Sequence, residues 1–176
     1  MHPLLKLVVS GPVGAGKTTF IRLLSETEVV DTDVPSTEDI GKPTTTVAMD
    51  FGSLVIDGYP IHLFGTPGQE RFNFMWDVLC EGAHGMMFLV AGDRPQDLPN
   101  ARLILDYITS QITIPFIVGV TRQDLDRVWS PGDVADYLDL PKHLVLGLNA
   151  TDHGECIDIL YELFAAINGS AKNMPN

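Results

Sequence analysis

An α/β domain built on a mostly parallel sheet, with helices on both faces, is predicted by three observations. Short runs rich in Val, Ile, Leu and Phe alternate with segments of helical periodicity along the chain. The runs are nearly continuous in apolar character, as expected of strands covered on both faces. A glycine-rich turn, Gly11–Thr18, joins the first run directly to the first helical segment. The 176 residues, 45% apolar and 19% charged, suit a single soluble globular domain.

The elements follow in order. Leu4–Val9 reads as the first strand and Lys17–Leu24 as the first helix. Residues 26–45 carry Glu26, Glu28, Asp31, Asp33, Glu38 and Asp39 with little periodicity and read as a long exposed loop. Leu54–Ile56 and Ile61–Phe64 flank Asp57-Gly58, a dipeptide suited to a tight hairpin, which makes this pair antiparallel. Strands at Met86–Ala91, Phe116–Val120 and Leu144–Leu148 alternate with helices at Asn100–Ile112, Val134–Leu138 and Cys156–Ile167. In the last helix Ile157, Leu160, Leu163, Phe164 and Ile167 share one face. The expectation is a six-stranded sheet in one domain spanning residues 1–170, with a short disordered tail at 171–176. Phe72, Phe74, Met75 and Trp76 form an apolar cluster with two readings, a partner surface or the packed face of a helix.

Charge and composition narrow the function. Eleven Lys and Arg against twenty-three Asp and Glu leave a net charge of −12 with no basic patch, so nucleic acid is not an expected partner. Cys80 and Cys156 have no paired spacing, which argues against a disulfide framework or a zinc site and for a reducing cytoplasm. His2, His62, His84, His143 and His153 are scattered without metal-ligand spacing. The leading run Pro3–Val9 has no basic head and breaks at Gly11-Pro12. The stretch 170–176 has neither a prenylation cysteine nor a polybasic segment, so no stable membrane anchor is expected.

The sharpest motif is Gly11-Pro12-Val13-Gly14-Ala15-Gly16-Lys17-Thr18, which satisfies G-x-x-x-x-G-K-[ST] between a strand and a helix. Its glycines allow backbone angles that turn successive N–H groups inward, and the following helix contributes the positive end of its dipole. Gly11, Val13, Gly14, Ala15, Gly16, Lys17, Thr18 and Thr19 are therefore candidate nucleotide-binding residues. Lys17 would reach the β- and γ-phosphates, and the Thr18 hydroxyl would ligate Mg2+. In so acidic a protein, this local concentration of positive potential is what would hold a triphosphate.

Four later segments carry a resemblance. Gly65-Thr66-Pro67-Gly68-Gln69-Glu70-Arg71-Phe72 resembles switch II of Ras-like GTPases, and Thr44–Phe51 resembles switch I with the strand after it, Thr46 aligning best. Thr121-Arg122-Gln123-Asp124 resembles the guanine-reading motif, and Asn149-Ala150-Thr151 the Ser-Ala-Lys loop. The chain thus resembles a P-loop NTPase of the Ras-like G-domain class over nearly its whole length. Thr-Pro-Gly-Gln without a preceding Asp, with Phe74-Met75-Trp76, is most similar to bacterial small GTPases, the conservon GTP-binding proteins and their relative MglA.

That resemblance implies GTP/GDP and Mg2+ as ligands and assigns roles. Asp124 would accept hydrogen bonds from N1 and the 2-amino group of guanine, Ala150 would offer its N–H to O6, and Thr121, Arg122, Asn149 and Thr151 would frame the base. Gly68 would contact the γ-phosphate, Thr46 would ligate Mg2+, and Gln69 would orient the attacking water. A Roadblock/LC7-type regulator or another activating or exchange protein is the implied partner. Three positions depart from the pattern. Arg122 replaces a lysine, Val13 replaces a loop glycine, and Gly65 replaces the aspartate that holds Mg2+ through water, with Asp31, Asp33 and Asp50 as candidate replacements. Arg71 and Arg94 lie near enough to the expected loops to be candidate internal arginine fingers. A slowly hydrolysing switch is the leading expectation. A nucleotide-loaded scaffold without turnover and an ATP-using P-loop enzyme are the rivals.

Overall fold

A computed structural model describes residues 2–35, 46–66 and 73–172. Strand β1 (Leu5–Ser10) leads into α1 (Lys17–Leu24), followed by β2 (Val30–Pro35), β3 (Thr46–Ile56) and β4 (Tyr59–Gly65). Helix α2 (Asn73–Cys80), β5 (Gly85–Ala91), α3 (Leu98–Gln111), β6 (Phe116–Thr121), α4 (Pro131–Leu138), β7 (Val145–Gly147) and α5 (His153–Lys172) complete the order. The strands form one sheet in the order β2-β3-β4-β1-β5-β6-β7. β4, β1, β5, β6 and β7 run parallel, whereas β3 is antiparallel to both β4 and β2.

The expected architecture is therefore present, with one more strand than the apolar runs indicated. β2 lies within the acidic stretch read as a loop, and its residues pair with β3 from Val30↔Phe51 to Pro35↔Thr46. An edge strand needs only one partner, so its polar positions do not disqualify it. The hairpin expectation holds: Asp57 and Gly58 both have positive φ, 52° and 82°, the angles of the turn that matches strand twist. α5 runs through Lys172, two residues into the segment expected to be a tail. Residues 173–176 lie outside the described residues.

Two apolar layers sandwich the sheet. On one face α1 and α5 pack Phe20, Ile21, Leu24, Leu160 and Leu163 against Leu7, Val9, Met87 and Leu89. On the other, α3 and α4 bring Ala101, Ile104, Ile108, Val134 and Ala135 onto Val8, Phe88, Val118 and Val120. β5 is buried at every position, so the centre of the sheet is dry on both sides. This anchoring leaves the carboxyl ends of the parallel strands as the edge from which loops emerge.

Trp76 resolves half of the ambiguity at the apolar cluster. It is 1% exposed and packs edge-on against Tyr107 of α3, in the same layer as Cys80 and Ile104. The side chains of Phe74 and Met75, and all of Phe72, lie outside the described residues. Trp76→Ala should lower the unfolding free energy by about 3–5 kcal/mol in chemical denaturation. A loss below about 1 kcal/mol would place the indole on a surface instead.

Candidate functional site

The glycine-rich loop is braced by side chains that capture its carbonyls. Lys17 Nζ donates to the carbonyls of Gly11 at 2.6 Å and Pro12 at 2.8 Å. Thr121, buried at the end of β6, donates its hydroxyl to Ala15 O at 2.9 Å, and Arg122 Nη2 reaches Gly14 O at 3.4 Å. In a trans peptide the N–H of the next residue points opposite to the carbonyl. Capturing the carbonyls of Pro12 and Ala15 therefore turns the N–H groups of Val13 and Gly16 the other way. Gly11 has no alternative: its φ is 142°, and a Cβ there would lie 2.1 Å from Leu89 O.

Beside the loop lies a cavity of about 360 Å3, lined by Gly16, Thr19, Thr121, Arg122, Asp124, Leu125, Asn149, Ala150 and Thr151. Two sequence-distant segments thus meet the phosphate loop in one place. Asn149 Oδ1 accepts from the Thr151 N–H at 3.0 Å and the Thr151 hydroxyl at 2.6 Å, which fixes the turn that presents Ala150. The Cys156 thiol, pushed up to about 12 mainly by burial and so kept protonated, lies 3.6 Å from Ala150 O. Sequence reasoning missed Cys156 as a support and Leu125 as an apolar wall. Leu125, 47% exposed, contributes apolar surface to this cavity.

Arg122 has an unusual backbone, φ 63°, and its guanidinium bridges two elements. Nη1 donates to Asp93 Oδ2 at 2.8 Å while Nη2 holds the loop at Gly14. The planar fork sends two different nitrogens to acceptors on two different elements. Arg94 lies against the same glycine, its Nε 3.5 Å from where a Gly14 Cβ would stand, and is paired with Asp97 at 2.5 Å. Val13 is 55% exposed on the outside of the loop.

At the other end of the loop, Thr18 Oγ1 donates to Asp50 Oδ2 at 2.5 Å. Thr66, just past β4, is 3% exposed and tied to β1 twice, by its N–H to Val9 O at 2.9 Å and its hydroxyl to Ser10 Oγ at 2.8 Å. Gly68, Gln69 and Arg71 lie outside the described residues. Thr46 opens β3, and its side chain is likewise outside them. The side chains of Asp31 and Asp33, on β2, are also not described, so of the three candidate replacements for the missing aspartate it is Asp50 whose contact with the loop is defined. Among the described residues no group of three His, Cys, Asp or Glu could hold a metal, and no helix is long and apolar enough to cross a membrane.

A family model described as "Conserved hypothetical ATP binding protein" matches residues 27–167. An uncharacterized protein of Methanocaldococcus jannaschii is 30% identical over 145 residues, covering 81% of this chain and 84% of that one. ADP-ribosylation factor-related protein 1 of Rattus norvegicus is 22% identical over 131 residues, 73% of this chain and 64% of that protein. Among solved structures, the G domain of the T. maritima FeoB iron transporter superposes with a TM-score of 0.68 at 19% identity, covering 94% of this chain and 99% of that chain. At that identity the likeness establishes a shared fold.

Two predictions follow from the loop's electrostatics. Burial lowers the Lys17 ammonium to about 8, partly offset by the negative charge of Asp50. Below pH 8 the side chain is charged and attracts phosphate; above it the proton must be taken up on binding. Nucleoside diphosphate affinity, measured by titration calorimetry, should fall by about fivefold between pH 8 and 9, with proton uptake. Lys17→Gln should bind weakly with a flat profile, whereas a flat wild-type profile would contradict the assignment. Asp93→Asn removes one acceptor from Arg122 at a partly exposed pair, so bound nucleotide should leave about 1.5–5 times faster in stopped flow.

Proposed function

The chain belongs to the family described as conserved hypothetical ATP binding proteins, and on that premise we propose that it is a guanine-nucleotide-binding molecular switch that slowly hydrolyses GTP. The observation that carries the choice of base is Asp124, whose position lines the same cavity as Ala150 and Gly16. A carboxylate accepts hydrogen bonds and donates none. Guanine offers it two donors, N1–H and the 2-amino group, and adenine offers neither. Leaving such a carboxylate unpaired costs about 1–3 kcal/mol or more, so guanine is preferred over the adenine of the family's description.

The phosphates would lie along the Val13, Gly16 and Lys17 end of the loop, with Thr18 and Thr46 toward Mg2+. Thr18's hydroxyl is a hard oxygen donor, and magnesium is commonly held by one or two protein oxygens while phosphates and waters complete its shell. When bound, the ion would neutralise charge developing on the γ-phosphate. Gln69 would orient the attacking water and Gly68 would offer its N–H to the γ-phosphate. Loss of that phosphate would release the segments around Thr46 and Gly65–Trp76, the two surfaces a partner would read. Pairing with Asp97 occupies Arg94, which supports slow intrinsic turnover and an accelerating partner.

Within the Ras-like class the reading closest to the sequence is an MglA-like or conservon-type cytoplasmic protein with a Roadblock/LC7-type regulator. It rests on Thr66-Pro67-Gly68-Gln69 and Phe74-Met75-Trp76. A scaffold that holds nucleotide without turnover is favoured by Val13 and Gly65 and is the second reading.

Purified protein mixed with limiting GTP and Mg2+ should show bound GTP converting to GDP over hours when the retained nucleotide is chromatographed. Gln69→Leu should slow that conversion at least about tenfold. GTP that persists unchanged would establish the scaffold, and retention of ATP alone would overturn the guanine reading. Asp124→Asn should shift preference from guanine toward xanthine nucleotide by at least about a hundredfold, because the new amide donor meets the 2-oxo group.

A further inference from the structure

Asp50 and Gly65 stand directly opposite each other in the antiparallel register of β3 and β4. Directly opposed residues project to the same face with Cβ atoms about 4.5–5.5 Å apart. A carboxylate at 50 therefore covers nearly the space that one at 65 would. A second would be crowded at the end of β4: a Cβ on Gly65 would lie 2.9 Å from Ile21 Cδ1 and 3.2 Å from Asp50 Cβ. Asp50 is the side chain that fills the slot, and its carboxylate accepts the Thr18 hydroxyl proton at 2.5 Å. Its charge also acts on Lys17, opposing the effect of burial. The glycine at 65 and the aspartate at 50 are thus two halves of one exchange across the strand pair.

We propose that Asp50 is the acidic anchor of the magnesium site, placed on β3 in the space that a carboxylate at the end of β4 would otherwise fill. This rests on the nucleotide-binding reading above. With its only proton committed to Asp50, Thr18 Oγ1 has only lone pairs to present to a cation. The carboxylate adds a full negative charge beside that oxygen and an acceptor for a water of the ion's shell. Asp50 is a positioning residue: it acts through Thr18 and through hydration, and the transferred phosphate does not touch it. The missing aspartate at 65 therefore does not disable the site.

Release of a fluorescent GDP analogue, followed as a function of free Mg2+, separates this role from a general structural one. In the wild type Mg2+ should slow release and EDTA should restore the fast rate. Asp50→Asn keeps an acceptor for Thr18 but loses the charge, so the Mg2+ concentration for half-maximal slowing should rise about 10–100-fold. The exchange variant, Asp50→Gly with Gly65→Asp, removes the Asp50 Cβ and leaves only the flexible end of Ile21 against position 65, and should recover Mg2+ sensitivity to within a few fold. If Asp50→Asn fails to fold, the exchange variant alone decides. An unchanged Mg2+ dependence in Asp50→Asn, or a folded exchange variant insensitive to Mg2+, would overturn the proposal. Failure of the wild type to retain guanine nucleotide at all would instead overturn the function on which it rests.

Discussion

The capture of loop carbonyls by side chains from elsewhere in the chain is the constraint on which the site depends. A run of glycines is entropically expensive to order, and its N–H groups serve a phosphate only if the peptides are held in one orientation. Lys17, Thr121 and Arg122 do this from the start of α1 and the end of β6. The 2.1 Å approach that a Gly11 Cβ would make to Leu89 O shows how closely β5 is packed beneath. A dry central strand therefore fixes the floor, and three polar side chains fix the walls.

The same packing explains why the glycine-rich loop and the segments after β6 and β7 come together. Parallel strands bury their middles and present their carboxyl ends along one edge, so loops far apart in sequence converge there. Thr121 spans 106 residues to reach Ala15, and Arg122 spans 108 to reach Gly14. Arg122 also carries the tie to Asp93, so the segment after β5 is coupled to the loop through one guanidinium. The guanidinium makes the two contacts through separate nitrogens of one rigid fork. Substitution at 122 is in this sense part of a local arrangement that includes Asp93.

The exchange between Gly65 and Asp50 follows similar logic. Cross-strand neighbours in an antiparallel pair share a face, so a functional group is able to move from one strand to the other without leaving its place in space. Acidic charge in this protein is abundant, but Asp50 is distinguished by its position opposite a glycine and next to Thr18. Thr66, locked to Val9 and Ser10, keeps the end of β4 in that register.

Local chemistry made much of this legible in the residues alone. The phosphate loop is a contiguous motif, the Asp57-Gly58 turn is a dipeptide preference, and the apolar runs of β1, β5 and β6 declare burial on both faces. Lys17–Leu24 was readable as a helix to the residue because a glycine opens it and its apolar positions follow one period. What the residues could not disclose depended on pairing. β2 was hidden because an edge strand rich in aspartate carries no hydrophobic signal, and only hydrogen bonding to β3 makes it a strand. Asp31, Asp33 and Asp50 were equivalent as letters; the register of β3 against β4 singled out Asp50. The roles of Asp93, Leu125 and Cys156 likewise arise from contacts across the folded chain, since a side chain's partner is set by proximity in space and not by its neighbours in sequence.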